Sequence, residues 1–155
     1  MLIEGFGISV DLPEGWEGRI FMDPDSQEEV GFKPVMHCAN FQLVADNSNF
    51  AQGIIQTMGG GDSLLALVEY DASLVKSALF TSGHWPPILA AADLKPNAFP
   101  GTRPDGLGAN QNFTNVSGRA FCAYCVVGSQ GDGTFDVEEL NVVVGSIAVL
   151  PEPGI

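Results

Sequence analysis

Apolar residues alternate with small or polar ones from Phe6 to Leu12 (FGISVDL), stop at Pro13-Glu14-Gly15 and resume from Trp16 to Met22. Successive side chains on a strand point to opposite faces, so two such runs around a turn predict a β-hairpin. Asp23 to Glu29 (DPDSQEE) is polar, holds a proline and shows no period, which predicts a solvated loop before a third strand within 35–44. Phe50, Ile54, Ile55 and Met58 then recur at helical spacing. Ser48 or Asn49 is the expected cap of that helix, and Gly59-Gly60-Gly61 its stop.

Leu64 to Tyr70 (LLALVEY) predicts a buried strand. From Thr81 to Gly108 the chain is dense in proline (Pro86, Pro87, Pro96, Pro100, Pro104) and has no sustained period, which predicts a long ordered excursion. Gln111–Asn115 and Arg119–Gly128 flank the turn residues Val116-Ser117-Gly118 and predict a second hairpin. Asp136 and Glu139 have capping-box spacing, and Val137, Leu140, Val143, Val144 and Ile147 follow the helical period. A C-terminal helix and a short strand ending at Pro151 are expected. Strands outnumber helices and fall in adjacent hairpins, so the fold class is α+β, a mainly antiparallel sheet with helices packed on its faces.

Composition narrows the partners. The 155 residues fit a single domain spanning 1–155, and 45% hydrophobic against 16% charged residues is the balance of a packed globule. Nineteen acidic residues face six basic ones (Arg19, Lys33, Lys76, Lys95, Arg103, Arg119), which are scattered singly. Nucleic-acid and anionic-membrane binding both need clustered Lys and Arg, so the expectation is no nucleic acid and no membrane insertion. The start has neither a basic segment nor a small-residue cleavage site, and the cysteine count of 3 suits a reducing compartment, so the expected location is cytoplasmic.

Several motifs invite chemistry. Cys122-Ala123-Tyr124-Cys125 has the spacing of a metal or redox pair, but it falls in a strand pattern. Residues three apart on a strand face opposite ways with Cα atoms ~10 Å apart, beyond the ~7 Å a disulfide spans. Buried structural thiols are therefore expected; the alternative is a zinc site joining His37 and Cys38 to a later thiol. Gly61-Asp62-Ser63-Leu64 spells the GDSL hydrolase signature, yet neither His37 nor His84 has that family's context, leaving a turn before a strand. Gly128 to Glu139 matches the second half of an EF-hand loop but carries Gly128 and Gln130 where acids belong, so a hairpin-to-helix turn is expected. Asp23, Asp25, Glu28 and Glu29 are read as solvated acids and Gly59-Gly60-Gly61 as a helix stop, not a phosphate cradle. His84-Trp85-Pro86-Pro87 sets an imidazole and an indole beside two rigid prolines, which suits a groove wall or a partner contact; a Trp half buried under its own loop is the plainer reading.

The opening Gly5-Phe6-Gly7-Ile8-Ser9-Val10-Asp11-Leu12-Pro13-Glu14-Gly15-Trp16 resembles the first strands of PsbP-like domains, and the closing Val137 to Gly145 with Ser146-Ile147 resembles their last helix. Leu67–Asp71, Ala78–Phe80 and Gly118–Ser129 are similar to blocks in bacterial, chiefly actinobacterial, proteins that share this opening. The resemblance implies an α/β/α sandwich in a superfamily of accessory proteins, among them an extrinsic photosystem subunit and a nuclear-import factor that binds a small GTPase. The opening itself has no pattern of a thylakoid or secretory leader, so a photosystem role is not expected.

Two functions follow. The first is a non-catalytic binding or assembly module with another protein as partner, His84 and Trp85 as groove contacts, homo-oligomers allowed, and no catalytic, cofactor or metal residues. The alternative is a small enzyme in which Glu69 and Asp71, at i and i+2 of a strand, meet His84 in a cleft. An ion pair from one of those acids to Arg119 is an equally natural use of it.

Overall fold

In a computed structural model of the chain, residues 1–23, 33–96 and 103–151 are described. Eight strands run β1 (Leu2–Gly5), β2 (Ile8–Asp11), β3 (Glu17–Met22), β4 (Pro34–Ala39), β5 (Ser63–Tyr70), β6 (Leu107–Val116), β7 (Arg119–Gly128) and β8 (Ala148–Val149), with helices α1 (Gln52–Ile55), α2 (Ala78–Thr81) and α3 (Glu138–Gly145). They form a three-stranded sheet, β1-β2-β8, and a five-stranded sheet, β3-β4-β5-β7-β6. Every pairing is antiparallel, so the class is α+β as the sequence pattern requires.

The large sheet is apolar on both faces, which is why β4, β5 and β7 read as near-continuous hydrophobic runs. One face presents Met36, Cys38, Leu65, Leu67, Phe121, Ala123 and Cys125 to β2, Trp16, α3 and Ile147. The other presents Ala39, Leu64, Ala66, Cys122, Tyr124 and Val126 to Ala51, Ile54, Ile55 and Met58. Burial on two sides of one sheet is the main hydrophobic driving force, at about 25 cal/mol per Å² of apolar area removed from water.

The second hairpin forms as expected, β6 against β7, with Ser117 at φ 53° and Gly118 at φ 75° in the two-residue turn. The first does not. β2 pairs with β1 through Phe6 (φ 54°) and Gly7 (φ 78°), while β3 pairs with β4, so Pro13-Glu14-Gly15 passes the chain from one sheet to the other. Alternation reports which face a strand buries but not which strand it pairs with, and phenylalanine is not a residue that announces a left-handed turn position.

The expected strand within 35–44 ends at Ala39, and the chain from Phe41 onward instead lies over the second face, where Phe41, Leu43 and Phe50 pack. Helix α1 takes its capping bonds from the Asp46 carboxylate, which accepts the amides of Gly53 and Ile54 at 2.8 and 3.1 Å, with the Ser48 hydroxyl accepting that of Gln52 at 3.1 Å. At α3, Asp136 accepts the Glu138 amide, but Glu139 does not complete a capping box; it accepts the indole N–H of Trp16. The acidic loop at Asp25, Glu28 and Glu29 lies outside the described residues.

Candidate functional site

Between α2 and β6, residues 82–96 run as a ribbon along β6, the edge strand of the large sheet, and asparagines hold them there; residues 97–102 lie outside the described residues. β6 reads LGANQNFTNV, a run poor in the branched and aromatic residues that favour strands. The Asn112 amide donates to the His84 carbonyl at 3.2 Å and Asn110 to the Asp93 carbonyl at 3.2 Å. Asn115 donates to Val75 and Phe80 at 3.2 and 2.7 Å. On α3, Asn141 accepts the Leu89 amide and donates to its carbonyl, both at 2.8 Å, imitating a neighbouring strand. Lys95 and Ala109 exchange two backbone bonds at 2.8 and 2.9 Å. These contacts satisfy the backbone of a segment that has no sheet of its own.

Packing completes the placement. A Cβ on Gly83 would lie 2.2 Å from the Phe113 carbonyl oxygen, so only glycine lets the ribbon press onto β6 just before His84. The Trp85–Pro86 peptide is cis, and Trp85 is half-buried, its ring centroid 6.3 Å from that of Phe121. Pro87 and Leu89 are buried, while His84, Pro86 and Ile88 are exposed. Of the two expected groove contacts, therefore, His84 faces solvent, and Trp85 anchors the ribbon to the core.

The ribbon and β6 enclose a cleft of about 400 Å³ lined by His84, Pro86, Pro87, Ile88, Leu89, Asp93, Asn110 and Asn112. One wall is apolar, the other carries amide and carboxylate groups, and no lysine or arginine lines it. Such a mixture of apolar wall and a few fixed polar groups is what binding sites present. Sequence reasoning found His84 and Trp85 but missed Asn110, Asn112, Asn141, Ile88 and Asp93. The available signal was asparagine repeated in a strand, where it is unfavourable unless its amide has an assignment.

The other candidates resolve into structural roles. Glu69 is buried in an ion pair with Arg119, at 2.7 Å to Nη2 and 3.0 Å to Nε. β5 ends at Tyr70, so Asp71 lies beyond the strand and caps a 3₁₀ turn, accepting the Ser73 amide at 3.1 Å. Neither acid is bonded to His84, which sits beyond β6 at the far side of β7 from β5.

Cys122 and Cys125 face opposite sides of β7, one in each core cluster, and Cys38 shares the Cys125 side. All three are free and buried, and burial pushes each thiol up to about 12. His37, on the Cys122 side of β4, is fully buried; its Nε2 meets the Asn49 carbonyl at 3.3 Å and its Nδ1 has no hydrogen-bond partner among the described residues. Desolvation is the main influence on His37 and holds its pKa below the ordinary 6.5. His37 and Cys38 point to opposite faces of β4, so strand geometry separates the proposed zinc ligands.

Ser63 begins β5 opposite Val127, its amide donating to Asn40 at 2.7 Å. In the EF-hand-like segment, Asp132 accepts from the amide and hydroxyl of Thr134, which makes it a turn acceptor. Gly59 to Asp62 is a tight turn against Gly128, whose Cβ would fall 1.9 Å from the Gly59 carbonyl oxygen. Among the described residues no three His, Cys, Asp or Glu gather closely enough to hold a metal ion, and no helix is long and apolar enough to cross a membrane.

A second concavity of about 510 Å³ lies on the small sheet, lined by Glu4, Gly5, Gly7, Ile8, Ser9, Ala148 and Leu150. Among the described lining residues its polar side chains are Glu4 and Ser9.

Compared with models of protein families, with curated proteins and with solved structures, the chain gives no significant match. The functional reading therefore rests on the geometry of the cleft.

Proposed function

We propose that this protein is a non-catalytic binding module that docks another protein through the cleft between the His84–Leu94 ribbon and β6. The observation that carries this reading is the anchoring of the ribbon. Asn112, Asn141 and Asn110 fix it at His84, Leu89 and Asp93 in turn, so the cleft is formed before any partner arrives. A preformed site spares the ordering cost that weakens flexible interfaces. Ile88, 56% exposed, supplies an apolar contact in a cleft that Asn110, Asn112 and Asp93 also line. The resemblance to PsbP-like domains agrees with an accessory role.

The test places a photo-crosslinking amino acid at position 88 in cells, identifies the adduct by mass spectrometry, and rebinds that purified partner in vitro. Ile88→Asp is expected to abolish binding. Val142→Asp, at a similarly exposed site on α3 (60%), is expected to leave it intact. Equal binding by both variants overturns the proposal.

A further inference from the structure

The polar wall of the cleft has a definite sense. Asn110 and Asn112 each commit the amide nitrogen to a ribbon carbonyl. Rotating either amide would set oxygen against oxygen, so the hydrogen bonds themselves fix which atom is which. Each amide oxygen is thereby left as an acceptor, and neither takes a hydrogen bond from another described residue. Asp93 accepts the Ala90 amide through Oδ2 at 2.8 Å, and its Oδ1 takes no hydrogen bond from another described residue. The side chains of Asn110, Asn112 and Asp93 thus line one cleft without a lysine or arginine among the lining residues. Hydrogen-bond acceptors beside a negative charge recognise a donor-rich cation.

The opposite wall fits the rest of such a side chain. Pro86, Pro87, Ile88 and Leu89 are apolar, and the long stems of lysine and arginine pack on apolar surface while their heads reach polar groups. The formal charge of −13 gives a basic partner a favourable long-range field. We infer that the occupant of the cleft is a lysine or arginine side chain of the partner protein, its stem against Ile88 and its cationic head among Asn110, Asn112 and Asp93. This rests on the docking reading above and adds the chemistry of the residue docked.

The experiment titrates isotopically labelled protein with three blocked pentapeptides that differ only in the central residue: arginine, norleucine or glutamate. Amide shifts of residues 84–94 and 107–112 report the site. The arginine peptide is expected to bind there about tenfold more tightly than the norleucine peptide. Asp93→Asn is expected to weaken the arginine peptide about fivefold and leave the norleucine peptide unchanged, the size of a solvent-exposed charge contribution. Equal affinity of arginine and norleucine peptides at the cleft, or preference for glutamate, overturns the inference while leaving the docking reading standing. Shifts spread over the whole acidic surface, with none concentrated at the cleft for any peptide, overturn both.

Discussion

Arg119 and Glu69 form a buried bidentate ion pair, and the same guanidinium donates to the carbonyls of Phe6 and Leu150 at 3.0 Å each. Glu69 and Arg119 belong to the large sheet, Phe6 and Leu150 to the turn and end of the small one. One side chain thus joins the two sheets. Gly7 accommodates it, since a Cβ there would stand 2.7 Å from Arg119 Nη1.

Removing one partner leaves an uncompensated buried charge, so Arg119→Leu should cost about 3–5 kcal/mol of stability. Glu69→Leu with Arg119→Leu should cost less than Arg119→Leu alone, because no charge is then stranded. Urea denaturation of the wild type, Arg119→Leu and the double variant measures this; a double variant that loses as much stability as Arg119→Leu, or more, contradicts it.

Trp16 is 4% exposed in the core, and truncating such a residue costs about 3–5 kcal/mol. Trp16→Ala should therefore unfold the protein or sharply lower its denaturation midpoint. Trp85, half-buried on Phe121, should cost less when truncated and should loosen the ribbon. Side-by-side denaturation of the two variants decides it, and equal small losses would show that the core is misplaced.

What was legible in the sequence follows from local rules. The β6–β7 hairpin was readable because Ser117-Gly118 supplies the left-handed turn, and α3 because its apolar residues keep a helical period. The opposed facing of Cys122 and Cys125 followed from the two-residue repeat of a strand. The pairing of β2 was hidden because Phe6 occupies a left-handed turn position without a turn residue's chemistry. The cleft was hidden because its polar anchors, Asn110, Asn112 and Asn141, act on residues 17 to 52 positions away. No periodicity carries such a contact. His84 was legible as an exposed groove residue, but only the structure separates its role from that of Trp85.

His37 gives the stability a pH dependence of defined sign. Its folded pKa lies below 6.5, so it favours folding fully above that value and less as the pH falls toward the folded pKa. The wild type should lose stability relative to His37→Gln, in which that slope is removed, as the pH falls below about 6.5. Parallel slopes in the two proteins would place the acid sensitivity elsewhere.

The three thiols, raised by burial from 9.0 to about 12, should ignore a thiol reagent at pH 8 in the native protein and all react after unfolding. With raised values, their contribution is whole below about pH 9 and is lost as the pH climbs toward 12. Rapid labelling of any one in the native state contradicts the burial described.

The docking claim is tested most directly by amide hydrogen exchange of the protein alone and bound to its crosslinked partner. Protection on binding should concentrate in residues 84–94 and along β6. Protection confined to β1, β2 and β8, where another concave surface lies, with none at the ribbon, would contradict the account.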